Sequence, residues 1–147
     1  MKMLFVVMVV ALAAFAANAQ PPVRWKASAK LLKKNVFEIR LTAVINEGWY
    51  IYSQFMENNG PQPTSITFER SSVDTIGKAI EFGKLQQKFD AQFGMEIAFF
   101  YNKVEFVQQV RVKGKLPITM NGEVMYMGCN EQMCLPPQVE QFSVLLK

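Results

Sequence analysis

The sequence predicts an all-β domain with the plan of an immunoglobulin-like antiparallel β-sandwich. Short β-rich runs recur between turn signals, and several of them alternate apolar with polar residues, as half-buried strands do. In one such run Phe37, Ile39 and Leu41 fall on one face of the strand. About seven short strands separated by turns are typical of a two-sheet sandwich. The predicted strands are residues 36–45, 49–53, 65–68, 97–101, 104–112, 123–129 and 139–146.

Turn signals separate these runs. Asn46-Glu47-Gly48 and Asn58-Asn59-Gly60-Pro61 predict loop corners, and Asn121-Gly122 predicts a tight hairpin. Residues 78–93 carry apolar side chains at spacings that an amphipathic helix would allow, but glycines interrupt the segment and no cap is evident. The glycines and the missing cap therefore weigh against a helix in this segment.

The N-terminus has the layout of a secretory signal. Lys2 precedes an apolar stretch over residues 4–17, and Ala17-Asn18-Ala19 supplies small residues for cleavage. As a helix this stretch would span only about 21 Å, which is short of a hydrocarbon core of roughly 30 Å. We therefore expect a signal peptide over residues 1–19 and a single domain over residues 20–147. The mature domain would have no membrane span and would be periplasmic or otherwise exported.

Composition excludes several kinds of chemistry. The 147-residue chain contains no histidine, so it cannot build a Ser-His-Asp or Cys-His arrangement. Its two cysteines cannot complete a four-ligand zinc site alone. The net charge of +4 is small and diffuse, which gives no reason to expect nucleic-acid binding. Sulfur chemistry remains, and we expect it to need no cofactor beyond a redox-active disulfide.

The two cysteines are placed to form a disulfide across a hairpin. Cys129 ends a predicted strand, and Cys134 follows after four residues. Pro136 and Pro137 remove two backbone donors, so the start of the return strand cannot pair fully. Closing so short a loop contributes only about 2 kcal/mol in the chain-entropy model. The disulfide would therefore stabilise the domain only modestly, and the tight loop favours thiol–disulfide exchange.

Three functions stay open on the cysteine pair alone. The pair can exchange with a partner's thiolate, because Glu131 disfavours a local thiolate and no Lys or Arg lies between Met127 and Pro137. It can instead be a structural disulfide in an exported immunoglobulin-like binding module. Soft Cu(I) binding is a third possibility, although packing is the favoured explanation for the methionines nearby. Those methionines are Met120, Met125, Met127 and Met133.

Three sequence segments together resemble the N-terminal domain family of DsbD, a periplasmic thiol:disulfide interchange protein. The most specific is Tyr126-Met127-Gly128-Cys129, followed after four residues by Cys134-Leu135-Pro136-Pro137. Gly48-Trp49-Tyr50-Ile51-Tyr52-Ser53 is similar to an aromatic strand of the family. Phe89-Asp90-Ala91-Gln92-Phe93-Gly94 is similar to its cap loop. The resemblance covers essentially the whole mature chain.

This resemblance implies an immunoglobulin-like fold and an electron carrier of the oxidoreductase type. Cys134 would form the mixed disulfide with partners, and Cys129 would complete the pair. The implied partners are thioredoxin-fold proteins, including a membrane-linked thiol electron donor. Because the chain ends at Lys147, we expect it to meet that donor as a separate molecule. The cysteine spacing is one residue shorter than in some relatives.

The resemblance also implies residues that shield the sulfurs. A cap-loop aromatic would cover the disulfide and swing away on docking, with Phe93 the first choice and Phe89 the second, beside the acidic Asp90. Tyr50 and Tyr52 match aromatics that lie near the cysteines in the family. Either tyrosine can equally be a core residue.

Overall fold

The computed structural model describes residues 20–57 and 59–147, and the predicted signal peptide lies outside them. This part of the chain contains eleven antiparallel strands and no helix, which confirms the all-β prediction. No helix in it has the length and apolar character needed to cross a membrane. The strands are β1 (Val23–Lys33), β2 (Val36–Ile45), β3 (Tyr50–Tyr52), β4 (Ser65–Phe68), β5 (Val73–Gly83), β6 (Gln86–Asp90), β7 (Met95–Tyr101), β8 (Lys103–Val112), β9 (Ile118–Tyr126), β10 (Gly128–Cys129) and β11 (Gln138–Leu146).

The strands form three sheets. The first has the order β1-β2-β8-β5, the second β10-β3-β7-β6, and the third β11-β9-β4. Only Met127 separates β9 from β10, so the third sheet leads directly into the second. The main core joins inward-facing side chains of the first and third sheets, such as Phe106 from β8 and Leu146 from β11. This packing of sheet on sheet makes the immunoglobulin-like sandwich that the sequence predicts.

Strand β3 is buried on both faces. Ile51 belongs to the main core, whereas Tyr50 and Tyr52 belong to a second, smaller cluster that contains Cys129. The neighbouring strand β7 repeats this division, with Phe100 in the main core and Phe99 in the smaller cluster. Because successive side chains of a strand point to opposite faces, the second sheet forms a wall between the core and the cysteines.

Six of the seven predicted strands recur with ends shifted by at most two residues, and β2 and β4 have the predicted bounds. The predicted strand over residues 123–129 instead covers the end of β9 and all of β10, and it misses the first five residues of β9. The helix interpretation of residues 78–93 is wrong. Strand β5 continues to Gly83 and β6 covers Gln86–Asp90. Ile80 and Phe82 alternate along β5 as exposed residues at the sheet edge, so their spacing reflects a strand.

The predicted hairpin at Asn121-Gly122 is also wrong. Both residues lie inside β9, where Gly122 pairs with Phe142 of β11 and with Phe68 of β4. A Cβ atom at Gly122 would overlap the Phe142 ring and lie 2.7 Å from the carbonyl oxygen of Thr67. Glycine is needed here because neighbouring groups approach the backbone closely, and the chain does not turn.

Candidate functional site

The cysteine hairpin extends from the edge of the second sheet. Strand β10 pairs with β3, which places Cys129 opposite Tyr50. Cys129 is disulfide-bonded to Cys134, with 4.0 Å between their Cα atoms. The backbone N–H of Leu135 donates to the carbonyl oxygen of Gly128 at 2.9 Å, which closes the hairpin behind the disulfide. The sequence-based pairing of the two cysteines is therefore present in the structure.

Asn130 shapes the loop between the cysteines. Its side-chain oxygen accepts hydrogen bonds from the backbone N–H groups of Gln132 at 2.9 Å and Met133 at 2.8 Å. Its own backbone N–H donates to the Met133 carbonyl oxygen at 2.8 Å. Asparagine stabilises tight turns in this way because its short side chain reaches backbone groups two residues ahead. Strand β11 begins only at Gln138, after the two prolines, as the sequence predicts.

The two sulfur-bearing residues differ sharply in exposure. Cys129 has 0% of its surface exposed and packs in the small aromatic cluster. Cys134 is exposed to solvent. An incoming nucleophile therefore meets Cys134 first, because thiol–disulfide exchange requires access to the sulfur that is attacked.

Tyr52 contacts the disulfide through its hydroxyl group. The oxygen lies 3.4 Å from Cys129 Sγ and 3.8 Å from Cys134 Sγ. Disulfide sulfurs carry no hydrogen, so the hydroxyl is the donor in this state. Burial, together with Tyr50 and Asp90, raises the pKa of Tyr52 well above its ordinary value. The hydroxyl therefore keeps its proton at neutral pH and can donate to a sulfur on which negative charge develops.

Tyr50 belongs to an aromatic group beneath the sulfurs. Its ring centroid lies 5.8 Å from Tyr52, 4.7 Å from Phe99 and 5.7 Å from Tyr101. The pairs with Tyr52 and Tyr101 have the edge-to-face geometry that aromatic rings prefer. Both tyrosines are therefore buried in the small cluster that contains Cys129, and both line the cavity beside Cys134.

The end of β3 is fixed by polar contacts. The Thr64 hydroxyl donates to the carbonyl oxygen of Tyr52 at 2.6 Å. The next residue, Ser53, donates its hydroxyl to the carboxylate of Glu81 at 2.8 Å, and the Gln54 N–H donates to the same group at 2.6 Å. Burial raises the pKa of Glu81, although these hydrogen bonds act in the opposite direction. The contacts hold the backbone that carries Tyr52.

The predicted cap loop, residues 89–94, comprises the last two residues of β6 and the turn that leads into β7. The Asp90 carboxylate accepts the backbone N–H groups of Gln92 at 2.8 Å and Phe93 at 3.2 Å. Gly94 follows with φ +65°, a conformation that glycine adopts readily. Asp90, Gln92 and Phe93 line a cavity of about 140 Å³ together with Cys134 and Tyr52. Phe93, the first-choice cap residue, thus lines the same cavity as Cys134.

Phe89, the second-choice cap residue, is placed differently. It lies between Lys88 and Asp90 on β6, and the alternation of the strand directs it to the opposite face. Its side chain is 65% exposed, and it does not line the cavity beside Cys134. Of the two aromatic candidates, only Phe93 lines the cavity that Cys134 lines.

Lys88 is a site residue that the sequence analysis missed. It lines the cavity with Cys134, and its Nζ atom lies 5.2 Å from the ring centroids of both Tyr50 and Phe99. Lys88 lies far from the cysteines in sequence, and only the pairing of β6 with β7 and of β7 with β3 brings it near. Lys88 lies two residues before Asp90, and side chains at that spacing share one face of a strand. This spacing is the one sequence signal that would have placed Lys88 beside the cap loop.

The methionines occupy different environments. Met120 is fully buried in the main core, Met127 packs against the small cluster, and Met133 is 51% exposed on the hairpin loop. Within residues 20–57 and 59–147, no group of three or more Cys, Asp or Glu side chains is placed to hold a metal ion. Packing accounts for the positions of Met120 and Met127.

Fold and site together define a class: an immunoglobulin-like β-sandwich domain that presents one sulfur of a hairpin disulfide to solvent. The sequence profile described as "Thiol:disulfide interchange protein DsbD, N-terminal" matches residues 17–146. The chain therefore belongs to the DsbD N-terminal domain family, as the resemblance indicated. The comparison with curated protein sequences gives no match.

Solved structures show the same fold at low sequence identity. The reduced DsbD N-terminal domain of Neisseria meningitidis is 15% identical with a TM-score of 0.50, and the match covers 81% of this chain and 83% of that one. The same organism's complex of DsbD and PilB N-terminal domains gives 15% identity and a TM-score of 0.52, with 86% and 87% covered. The N-terminal periplasmic domain of ScsB from Proteus mirabilis gives 17% identity and a TM-score of 0.59, with 84% of this chain and 45% of that one covered.

Proposed function

We propose that this chain is an exported redox carrier that passes electrons between thioredoxin-fold proteins by thiol–disulfide exchange at Cys129 and Cys134. The observation that carries the proposal is the unequal exposure of the two residues, with Cys129 buried and Cys134 open to solvent. A purely structural disulfide does not need one sulfur to be accessible. Membership of a thiol:disulfide interchange family supports the same function.

The exchange proceeds in balanced steps. A partner thiolate attacks Cys134 Sγ, a new intermolecular disulfide forms, and the bond to Cys129 breaks with its electron pair leaving on Cys129. The Tyr52 hydroxyl lies 3.4 Å from this leaving sulfur and can donate a hydrogen bond to it. A second partner thiolate then attacks the partner sulfur of the mixed disulfide, which releases Cys134 as a thiolate. Both cysteines are then reduced, and the two partner sulfurs are joined in a disulfide.

The family and the sequence support the proposed partners and location. A DsbD N-terminal domain is known in a complex with a PilB N-terminal domain, so a domain of this fold can dock on a second protein. We propose that thioredoxin-fold proteins, including a membrane-linked thiol donor, dock here in the same way. The signal-like N-terminus and the periplasmic ScsB neighbour favour a periplasmic location after removal of residues 1–19.

Titration of the disulfide in glutathione redox buffers tests this function. We expect a reduction potential above about −300 mV, the upper limit of typical structural disulfides in secreted proteins. The reduced fraction is measured by thiol alkylation at each buffer ratio. A Cys129→Ser/Cys134→Ser double variant is the control that should show no alkylation. A bond that stays oxidised at lower potentials would favour the binding module with a structural disulfide.

We propose further that Phe93 shields the exposed sulfur, held by the Asp90 turn. Phe93→Ala is expected to speed reduction of the disulfide by dithiothreitol about threefold to tenfold, because exchange rates depend on access. Phe89→Ala is a matched control, since Phe89 lies on β6 four residues earlier and does not line the cavity beside Cys134. Samples are taken at timed intervals during reduction and treated with an alkylating reagent, and the alkylated fraction gives the reduction rate of each protein. Equal rates in the two variants and the wild type would remove Phe93 from this role.

A further inference from the structure

Lys88 contributes a positively charged side chain to the cavity that Cys134 lines. It is half-buried on β6, and it lines the cavity of about 140 Å³ that Cys134 also lines. Its ammonium group lies 5.2 Å from the centroids of the Tyr50 and Phe99 rings. A cation over two aromatic faces is held by the ring quadrupoles, so this side chain has a defined position.

The charged and titratable side chains that line the cavity with Cys134 come from three elements. Strand β6 contributes Lys88 and Asp90, the hairpin loop contributes Glu131, and β3 contributes the hydroxyls of Tyr50 and Tyr52. Lys88 is the one cationic side chain among the described residues that line this cavity. The ion pairs found in residues 20–57 and 59–147 use Arg40, Lys103 and Lys113 as cations, so they leave the Lys88 charge unneutralised.

The Asp90 carboxylate is already engaged. One of its oxygens accepts two backbone N–H groups of the cap turn. Glu131 is exposed on the hairpin loop, where solvent screens its charge. Lys88, half-buried against aromatic rings, is screened less than an exposed side chain. Its charge therefore offsets the two carboxylates at the outward side of Cys134.

We propose that Lys88 is a positioning residue that stabilises the Cys134 thiolate and the negative charge of a partner thiolate approaching it. This inference rests on the proposed function. When a partner attacks, its thiolate brings charge to the outer side of Cys134. When the reduced domain attacks a partner disulfide, Cys134 itself is the thiolate, a new bond forms to one partner sulfur, and the other partner sulfur leaves with the electron pair. In both directions the charge develops in the cavity that Lys88 lines, and a nearby cation favours the charged form.

The effect is measurable on a single thiol, without any partner. In a Cys129→Ser background Cys134 is the only thiol, and the pH dependence of its alkylation by iodoacetamide reports its pKa. Lys88→Gln is expected to raise that pKa and to slow alkylation at pH 7 about threefold to tenfold, because the rate follows the thiolate fraction. Lys88→Arg keeps the charge and is expected to stay close to the parent.

Two further variants check the electrostatic origin. Lys84→Gln removes an exposed cation from the connection between β5 and β6 and is expected to leave the alkylation profile unchanged. Glu131→Gln removes an opposing charge and is expected to shift the profile in the opposite direction to Lys88→Gln. Thermal unfolding of each variant confirms that the domain is folded under the assay conditions.

An unchanged pH profile in Lys88→Gln would overturn the inference. So would an equal shift in Lys88→Gln and Lys88→Arg, because that outcome indicates a packing role and not a charge. The redox titration tests the proposed carrier function, and the alkylation assay tests the role of Lys88 independently of it. A disulfide that resists reduction removes the proposed carrier function, whereas the alkylation profile depends only on the surroundings of Cys134.

Discussion

Cys129→Ser, which retains only the exposed sulfur, is expected to capture a thioredoxin-fold partner as a stable mixed disulfide, whereas Cys134→Ser is expected to fail to trap one on the time scale of that reaction. In the first variant Cys134 faces the partner and no second thiol is present to release it. In the second, the remaining Cys129 has 0% of its surface exposed. It can react only after local opening of the small cluster, and opening that costs about 3 kcal/mol slows capture on the order of 100-fold.

The capture experiment uses a partner thioredoxin that lacks its own resolving cysteine, activated as a mixed disulfide with a chromophoric thiol. Release of the chromophore gives the rate for each variant, and non-reducing gels give the covalent product. The cysteine-free double variant sets the background. Equal rates for the two single variants, or faster capture by Cys134→Ser, would contradict the assignment of Cys134 as the contact sulfur.

Gly122→Ala is expected to lower the free energy of unfolding by about 2 to 3 kcal/mol, because overpacking this closely packed, half-buried position forces side chains or backbone to move. The new methyl group would overlap the Phe142 ring, which can shift. It would also lie 2.7 Å from the Thr67 carbonyl oxygen, which the β4–β9 pairing holds in place. Urea unfolding followed by tryptophan fluorescence measures the change.

Gly128→Ala is the matched control for this prediction. Gly128 also lies in a strand, but a Cβ atom there would approach only Pro22 at 3.4 Å and Trp49 at 3.8 Å. These are ordinary contact distances, so we expect a change within about 0.5 kcal/mol. Similar losses in both variants would indicate that glycine is required in these strands for a reason other than the close approach at Gly122.

The sequence predicts strands well where alternation is strong and apolar residues are large. Strand β2 shows this, since its buried positions include Phe37, Ile39 and Leu41. Strand β1 escaped prediction because its half-buried face relies on small residues such as Ala27 and Ala29, which have low β propensity. At Gly122 the sequence pattern misled, because an Asn-Gly pair signals a turn unless a neighbouring strand requires the missing side chain.

In the site, features that are local in sequence can be predicted, whereas features that depend on strand pairing cannot. The pairing of Cys129 with Cys134 is local, so spacing and the adjacent prolines were sufficient to predict it. The assembly of Lys88, Phe93 and Tyr52 around Cys134 depends on which strands pair, and spacing alone does not encode that order. The sequence shows that no cation lies close to the cysteines along the chain, but it does not show that strand pairing places Lys88 near them.

The double burial of β3 means that the hairpin is not a transferable unit. A peptide that carries residues 126–137 would retain the two cysteines and the turn formed by Asn130. It would lack the wall of Tyr50 and Tyr52, and that wall is anchored in turn by Ile51 on the far side. Substitutions of Ile51 alter core packing directly. They are therefore also expected to change the surroundings of the sulfurs, because Ile51 lies between Tyr50 and Tyr52 on the same strand. In this domain, the reactivity of the disulfide and the cohesion of the sandwich vary together.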